Sequence, residues 1–261
     1  MRMLVGLMLL CSLTGVLHAQ NKVLTMVADN WCPFNCDPDD NQSPGFLVEI
    51  ARKTFEPMGY VVDYKIVPWT RAIEEVRAGK YNMLIAASHE ETPDFVFPAG
   101  PDVSCGFDVF VREGDPFVWN GVESIKDKRI GGIQDYVYSD AINAYIDEQK
   151  PTAGKKIQIL RGDSALPSNI KKLLGHRIDV LFENEAVLNY QFGNMHEELA
   201  DLRLPGKPHK VGTTDDKPTQ CYLGFSPAIA ESKLLAAKMG EVAKEMEKNG
   251  ELTKLRAKYG M

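Results

Sequence analysis

The chain has 261 residues and a formal net charge of −6; 44% of it is hydrophobic and 25% charged. That is the make-up of a globular protein, with length for one large α/β domain or two smaller lobes. A net negative chain excludes a general electrostatic attraction to nucleic acid or to an anionic membrane surface.

In chain order, the amino terminus is expected to be a leader. Arg2 precedes an apolar stretch from Leu4 to Leu17, and Leu17-His18-Ala19 forms a cleavage site before Gln20. Residues 1–19 are read as a signal peptide and the mature chain as periplasmic. Gly6, Thr14 and Gly15 make the stretch a poor membrane anchor. Cys11 suggests a lipoprotein, but Leu10 stands before it where a small residue is expected. Export gives meaning to Cys32, Cys36, Cys105 and Cys221, because an even number of cysteines in an oxidising compartment favours disulfides. Cys32 and Cys36 can close a small local loop, which leaves Cys105 with Cys221. Free buried thiols are the alternative. Only His89 and His176 lie near candidate clefts and neither has metal-ligand spacing, so no metal or cofactor is expected.

Lys22 to Ala28 reads as the first strand, followed by a polar loop to Pro44 and a helix from Gly45 to Met58. Val61 to Val67 is the next strand; Pro68-Trp69-Thr70 leads into a helix ending near Gly79, and Met83 to Ala87 is a third strand. Phe107 to Val111 is read as a strand leaving this unit. A second series then runs through a strand from Arg129 to Ile133, a helix from Ser139 to Gln149 and a strand from Lys156 to Leu160. It continues with a helix from Ser168 to Leu174 and a strand from Val180 to Phe182. Leu202 to Pro218 is expected to be mostly loop. Tyr222 to Ser226 returns as a strand, and Pro227 introduces a long helix with Leu234, Leu235, Met239, Val242 and Met246 facing inward. A short final helix carries Leu252, Leu255 and Tyr259.

Two stretches share one pattern. Ala72 to Glu90 and Asn169 to Ala186 each hold an amphipathic helix, a closing glycine, a polar residue (Asn82, Asp179), an apolar strand and an acidic segment. Each is half of a parallel α/β layer, and ligands sit at the carboxyl ends of such strands. The expected organisation is an α/β protein of two lobes. Residues 20–107 with 222–261 form one and 108–221 the other, joined by a two-strand hinge; a single large domain is the alternative.

These residues resemble the extracellular solute-binding family three, the polar amino-acid class of bacterial periplasmic binding proteins. The resemblance covers the mature chain. It is carried by the Trp31-x-Pro33 loop, Gly45-Phe46, and Ala78-Gly79-Lys80-Tyr81-Asn82. In the second half it is carried by Ile130-Gly131-Gly132-Ile133-Gln134, Lys172 through Asp179, and Lys248 through Gly260. It implies a two-lobed type II periplasmic-binding-protein fold that closes on a small polar ligand and delivers it to an ABC-transporter permease. Members that grip α-amino acids carry a Thr-x-x-Arg step for the ligand carboxylate. Here Thr92-Pro93-Asp94-Phe95 stands in its place, and no arginine follows until Arg112. The family's amine-binding aspartate is replaced by Asn184, beside Glu183 and Glu185. The second-lobe Gly-Thr-Thr turn is replaced by Gln134-Asp135-Tyr136.

Candidate ligand-binding residues are Trp31, Phe46, Trp69, Arg71, Ser88 and Glu90 in the first lobe. In the second they are Gln134, Asp135, Tyr136, Asn184 and Glu185. Asp163 is a weaker candidate. The set is rich in acids and aromatics and favours a cationic or neutral polar ligand. The partners expected are a small molecule and a membrane permease, or else a membrane sensor that reads the closed form; nucleic acid is not expected, and the protein is expected to be a monomer. An enzyme of the dehydratase kind, with Glu90, Glu185 and His89 as acid and base, is the third reading, but no nucleophile–base pair or metal motif stands out.

Overall fold

The computed structural model describes residues 22–39, 43–149, 156–162, 164–214 and 219–261. The expected leader, with Cys11, and Asp163 lie outside them. The first half runs β1 (Lys22–Ala28), α1 (Phe46–Phe55), β2 (Tyr60–Ile66), α2 (Trp69–Arg77), β3 (Met83–Ser88) and β4 (Val103–Ser104). The middle runs β5 (Asp108–Arg112), β6 (Ile130–Ile133), α3 (Asp140–Gln149), β7 (Ile157–Leu160), α4 (Ala165–Leu174) and β8 (Val180–Glu183). Then follow α5 (Glu185–Gly193), α6 (His196–Asp201), β9 (Pro208–Thr213), β10 (Gln220–Phe225), α7 (Ser232–Lys248) and α8 (Glu251–Lys258).

These strands make two five-stranded sheets of one design, ordered β2-β1-β3-β10-β4 and β7-β6-β8-β5-β9. In each, three strands from successive β-α-β units are parallel, and a fourth runs antiparallel beside the third. The chain passes between the sheets twice, just after β4 and just before β10. The fold is therefore α/β with two lobes, each a mixed sheet flanked by helices.

The twin pattern has a structural reason. Asn82 Oδ1 accepts the backbone N–H of Thr25 in β1 at 2.9 Å and also its hydroxyl at 2.9 Å. Asp179 Oδ2 accepts the backbone N–H of Arg129, just before β6, at 2.9 Å. Its carboxylate also holds that guanidinium at 2.9 and 2.6 Å. In both lobes one polar side chain pins the third strand to the first, and the arginine contacts hold the Asp179 carboxyl down at about 2. Asn82→Ala strands two donors beside the strand and is expected to lower stability by about 2 kcal/mol, with Asn82→Asp far milder. Urea denaturation of both variants checks it.

Several expectations need correction. The segment after Leu202 holds a strand: β9 pairs antiparallel with β5 from Pro208 to Thr213. It is an edge strand opening on proline, where the missing N–H costs no ladder bond. The long helix begins at Ser232, not at Pro227; Ser226 accepts the Ala228 N–H on its hydroxyl and the Ser232 hydroxyl on its carbonyl, holding the chain in a turn. Leu234 is 72% exposed, while Leu235, Met239 and Met246 are buried. One residue is about 100° of helix rotation, enough to take Leu234 off the inward face. α5 and α6 fill a stretch for which no helix was expected.

Candidate functional site

The carboxyl ends of the two sheets face each other across a cavity of about 760 Å³. From the first lobe it is lined by Asp29, Trp31 and Asn35 after β1, Trp69 at the start of α2, and Ser88, Glu90 and Glu91 at the end of β3. From the second it is lined by Tyr136 and Ser139 between β6 and α3 and by Asp140 at the start of α3. The crossing segments close the back with Cys105, Phe107, Thr214, Thr219 and Cys221.

Local sequence sets these positions. The Cys32–Cys36 disulfide closes the loop after β1, and Trp31 N–H donates to Asn35 O at 3.0 Å. Phe46 N–H and Leu47 N–H at the start of α1 donate to Pro33 O and Phe34 O, both at 2.9 Å, so the loop is clamped against the helix. The Cys105–Cys221 disulfide ties the two crossing segments on the first-lobe side, with Cys105 N–H donating to Thr219 O at 2.9 Å. Asn184 Nδ2 donates to Ser104 O at 3.3 Å and Gly106 O at 3.0 Å, fixing the outgoing crossing to the second lobe.

Hydrogen bonds also run across the cleft itself. Trp31 Nε1 donates to Glu183 Oε1 at 3.1 Å, Tyr136 OH to Asp29 Oδ2 at 2.9 Å, and Thr70 Oγ1 to Asp135 Oδ2 at 2.6 Å. Glu183 is fully buried, and its Oε1 also accepts its neighbour Asn184 N–H at 2.8 Å. Its Oε2 has no hydrogen-bond partner among the described residues. Burial pushes its carboxyl up to about 8, with the nearby Asp29 charge adding to the rise. Burial also raises Glu91, whose Oε1 accepts the indole N–H of Trp69 at 2.8 Å. Asp108 is raised by burial against the opposing pull of Lys210, which sits 2.9 Å away.

Of the residues singled out in the sequence, the cavity brings together Trp31, Trp69, Ser88, Glu90 and Tyr136. The others stand outside its wall. Phe46 is fully buried in the first-lobe core, edge-on to Tyr259. Arg71 is exposed on α2, and Gln134 is exposed after β6. Asp135, also exposed, takes the Thr70 hydroxyl at the cleft rim with a φ of 66°. Asn184 caps α5, its Oδ1 accepting from Ala186 and Val187 N–H. Glu185 lies in a separate groove behind the hinge and pairs with Lys210 at 2.9 Å. The sequence reading passed over Glu91, Asp140 and Glu183. A signal for Glu91 was present, since an indole beside a strand end needs an acceptor. No group of three or more histidine, cysteine, aspartate or glutamate side chains among the described residues is placed to hold a metal. Among them, too, no helix is long and apolar enough to cross a membrane.

Among curated proteins, none matches this chain. Solved structures of similar shape are numerous. An ancestral arginine-binding protein bound to arginine is 18% identical, with a TM-score of 0.66 over 91% of this chain and 97% of that one. A protein of glutathione import through the cystine ABC importer of Streptococcus mutans is 17% identical, with a TM-score of 0.68 over 92% and 95%. A histidine kinase sensor domain with similarity to periplasmic binding proteins is 18% identical, with a TM-score of 0.64 over 91% and 95%. At such identities the likeness is one of fold. The model of one family, however, matches residues 23–261. With two lobes, a cleft at the strand ends and a match over nearly its whole length, the chain belongs to the bacterial extracellular solute-binding proteins, family 3.

Proposed function

We propose that this protein captures a small polar solute, cationic or neutral, in the cleft between its lobes and delivers it to the permease of an ABC importer. The observation that carries the reading is the interlobe cavity of about 760 Å³ bridged by the Trp31–Glu183 and Tyr136–Asp29 hydrogen bonds. Those bonds form only when the lobes meet, so a solute that touches both walls shifts the hinge equilibrium toward the closed form. In this reading residues 1–19 direct export to the periplasm. Residues 20–107 with 222–261 turn as one body against 108–221, and the Cys105–Cys221 disulfide fastens the hinge without locking the cleft. Trp31, Trp69, Ser88, Glu90 and Tyr136 contact the solute.

The function is binding without turnover. Glu90 and Glu91 stand on one wall, and Glu91 is engaged by an indole, not by a nucleophile it could activate. A membrane sensor in place of the permease is the second reading, favoured by the shape match to a histidine kinase sensor domain. The test is small-angle X-ray scattering on the protein stripped of solute by partial unfolding and refolding. Addition of a stabilising solute is expected to reduce the radius of gyration. Solute binding at unchanged dimensions would contradict the clamp.

A further inference from the structure

The cavity wall is unbalanced in charge. Its described residues include the carboxylates of Glu90, Glu91 and Asp140 and no lysine, arginine or histidine side chain. The nearby arginines are placed elsewhere. Arg77 is forked onto Asp94 at 2.8 and 3.1 Å, and Arg71 is exposed outside the wall. Thr92 is fully buried and donates its hydroxyl to Ser88 O at 2.8 Å, so it offers nothing to the cavity. The start of α3 is the remaining positive feature, yet Asp140 stands in its first turn. Of its own backbone donors Ile142 N–H is already engaged by Ser139 Oγ at 3.3 Å, and just before the helix Tyr138 N–H is taken by Asn143 Oδ1 at 2.9 Å. A solute carboxylate would enter among carboxylates with no cation to meet it.

A cationic nitrogen meets the opposite. Glu91 is half-buried and fixed by two contacts, the Trp69 indole on Oε1 and its own N–H on Ser88 Oγ at 3.2 Å. Burial raises its carboxyl, a penalty that a bound cation relieves. Trp31, Trp69, Phe107 and Tyr136 add aromatic faces, which attract ammonium groups and exclude water. Asn184 is committed to α5 and to the hinge, so the second lobe offers no acid at that position.

We infer that the solute is an organic amine without a carboxylate, its cationic nitrogen held at Glu91 and Glu90 beside the Trp69 ring. This rests on the interlobe cavity being the solute site. The test is isothermal titration with matched pairs: agmatine and arginine, cadaverine and lysine, putrescine and ornithine, choline and glycine betaine. In at least one pair the amine is expected to bind about tenfold or more tightly than its carboxylated partner. Glu91→Gln, which keeps the oxygen facing Trp69, is expected to weaken that amine by about tenfold or more while melting cooperatively without it. If carboxylated partners bind as tightly as their amines, the inference falls and solute capture stands. If no amine binds, the inference also falls, and the scattering experiment decides capture separately. Binding confined to anions overturns both the inference and the cationic-or-neutral reading of the solute.

Discussion

Replacing Glu183 by glutamine is expected to raise stability at pH 8 by several kcal/mol and to change it little near pH 5. Glu183 is fully buried at the end of β8, with Trp31 reaching it from the other lobe. The groups around it offer no compensating charge. Asp29 faces it from the end of β1 and raises it further, and Tyr136 and Tyr138 lie close enough to feel its charge. Asp108, across the ladder in β5, is itself an acid, and Lys210 is taken up by Asp108 and Glu185. The folded protein therefore keeps the Glu183 proton up to about 8, whereas an ordinary glutamate releases it at 4.5. Below 4.5 both states are protonated and nothing is lost. Between the two values the unfolded chain holds fewer protons, so stability falls as pH rises, by an amount on the order of 5 kcal/mol. Glutamine mimics the protonated acid. Its oxygen accepts the Trp31 and Asn184 N–H groups, and it cannot ionise. Glu91 and Asp108 are also raised, so the wild type alone would mix their effects. The difference between wild type and E183Q isolates Glu183. Thermal denaturation of both from about pH 5 to 8.5 reads it, and curves that stay parallel would refute the buried neutral acid.

Gly45→Ala is expected to be the most damaging single-methyl change in the first lobe, costing about 3 kcal/mol or more. Gly45 has φ 107° and ψ 156°, a conformation open essentially to glycine alone. A methyl there would lie 2.5 Å from Asn35 Cα, 2.6 Å from Phe34 O and 2.7 Å from Asn35 N. All three are backbone atoms of the loop closed by Cys32–Cys36, and that loop is bonded to the start of α1, so nothing can yield. The damage should extend to binding, because the same loop presents Trp31. Gly59→Ala separates the two causes. Its φ is 84° but nothing lies within 4 Å, so only backbone strain of about 1 kcal/mol is expected. Urea denaturation of both variants checks the contrast; equal losses would mean that the close approach at Gly45 carries no cost.

Much of the fold was legible because it is written in local signals. The first strand is expected and found at Lys22–Ala28, and the glycine-closed helices before Met83 and Val180 announce the parallel units. Asn82 and Asp179, noticed only as polar residues before apolar strands, prove to be the pins of those strands. β9 was missed because the prolines in and around it suggest a loop, and its identity depends on β5, about a hundred residues earlier. The cavity wall was legible where a residue ends a strand or follows it within a few residues, as Ser88, Trp31 and Glu90 do. It was not legible where position depends on the partner lobe. Glu183 reads as a polar strand end, and nothing near it in sequence announces its burial or the Trp31 indole, 152 residues away, that donates to it. Asn184 and Glu185 sit beside it in sequence, yet the turn into α5 sends one to a cap and the other behind the hinge.

In the proposed function the cleft between the lobes holds one small cationic or neutral solute. The decisive measurement is native mass spectrometry of the protein isolated from its native cells without refolding. A single small adduct, identified after release as an amine or neutral polar molecule and absent from Trp31→Ala, is the expected result. An adduct identified as an anion, or one that survives loss of Trp31 undiminished, would rule out such a site.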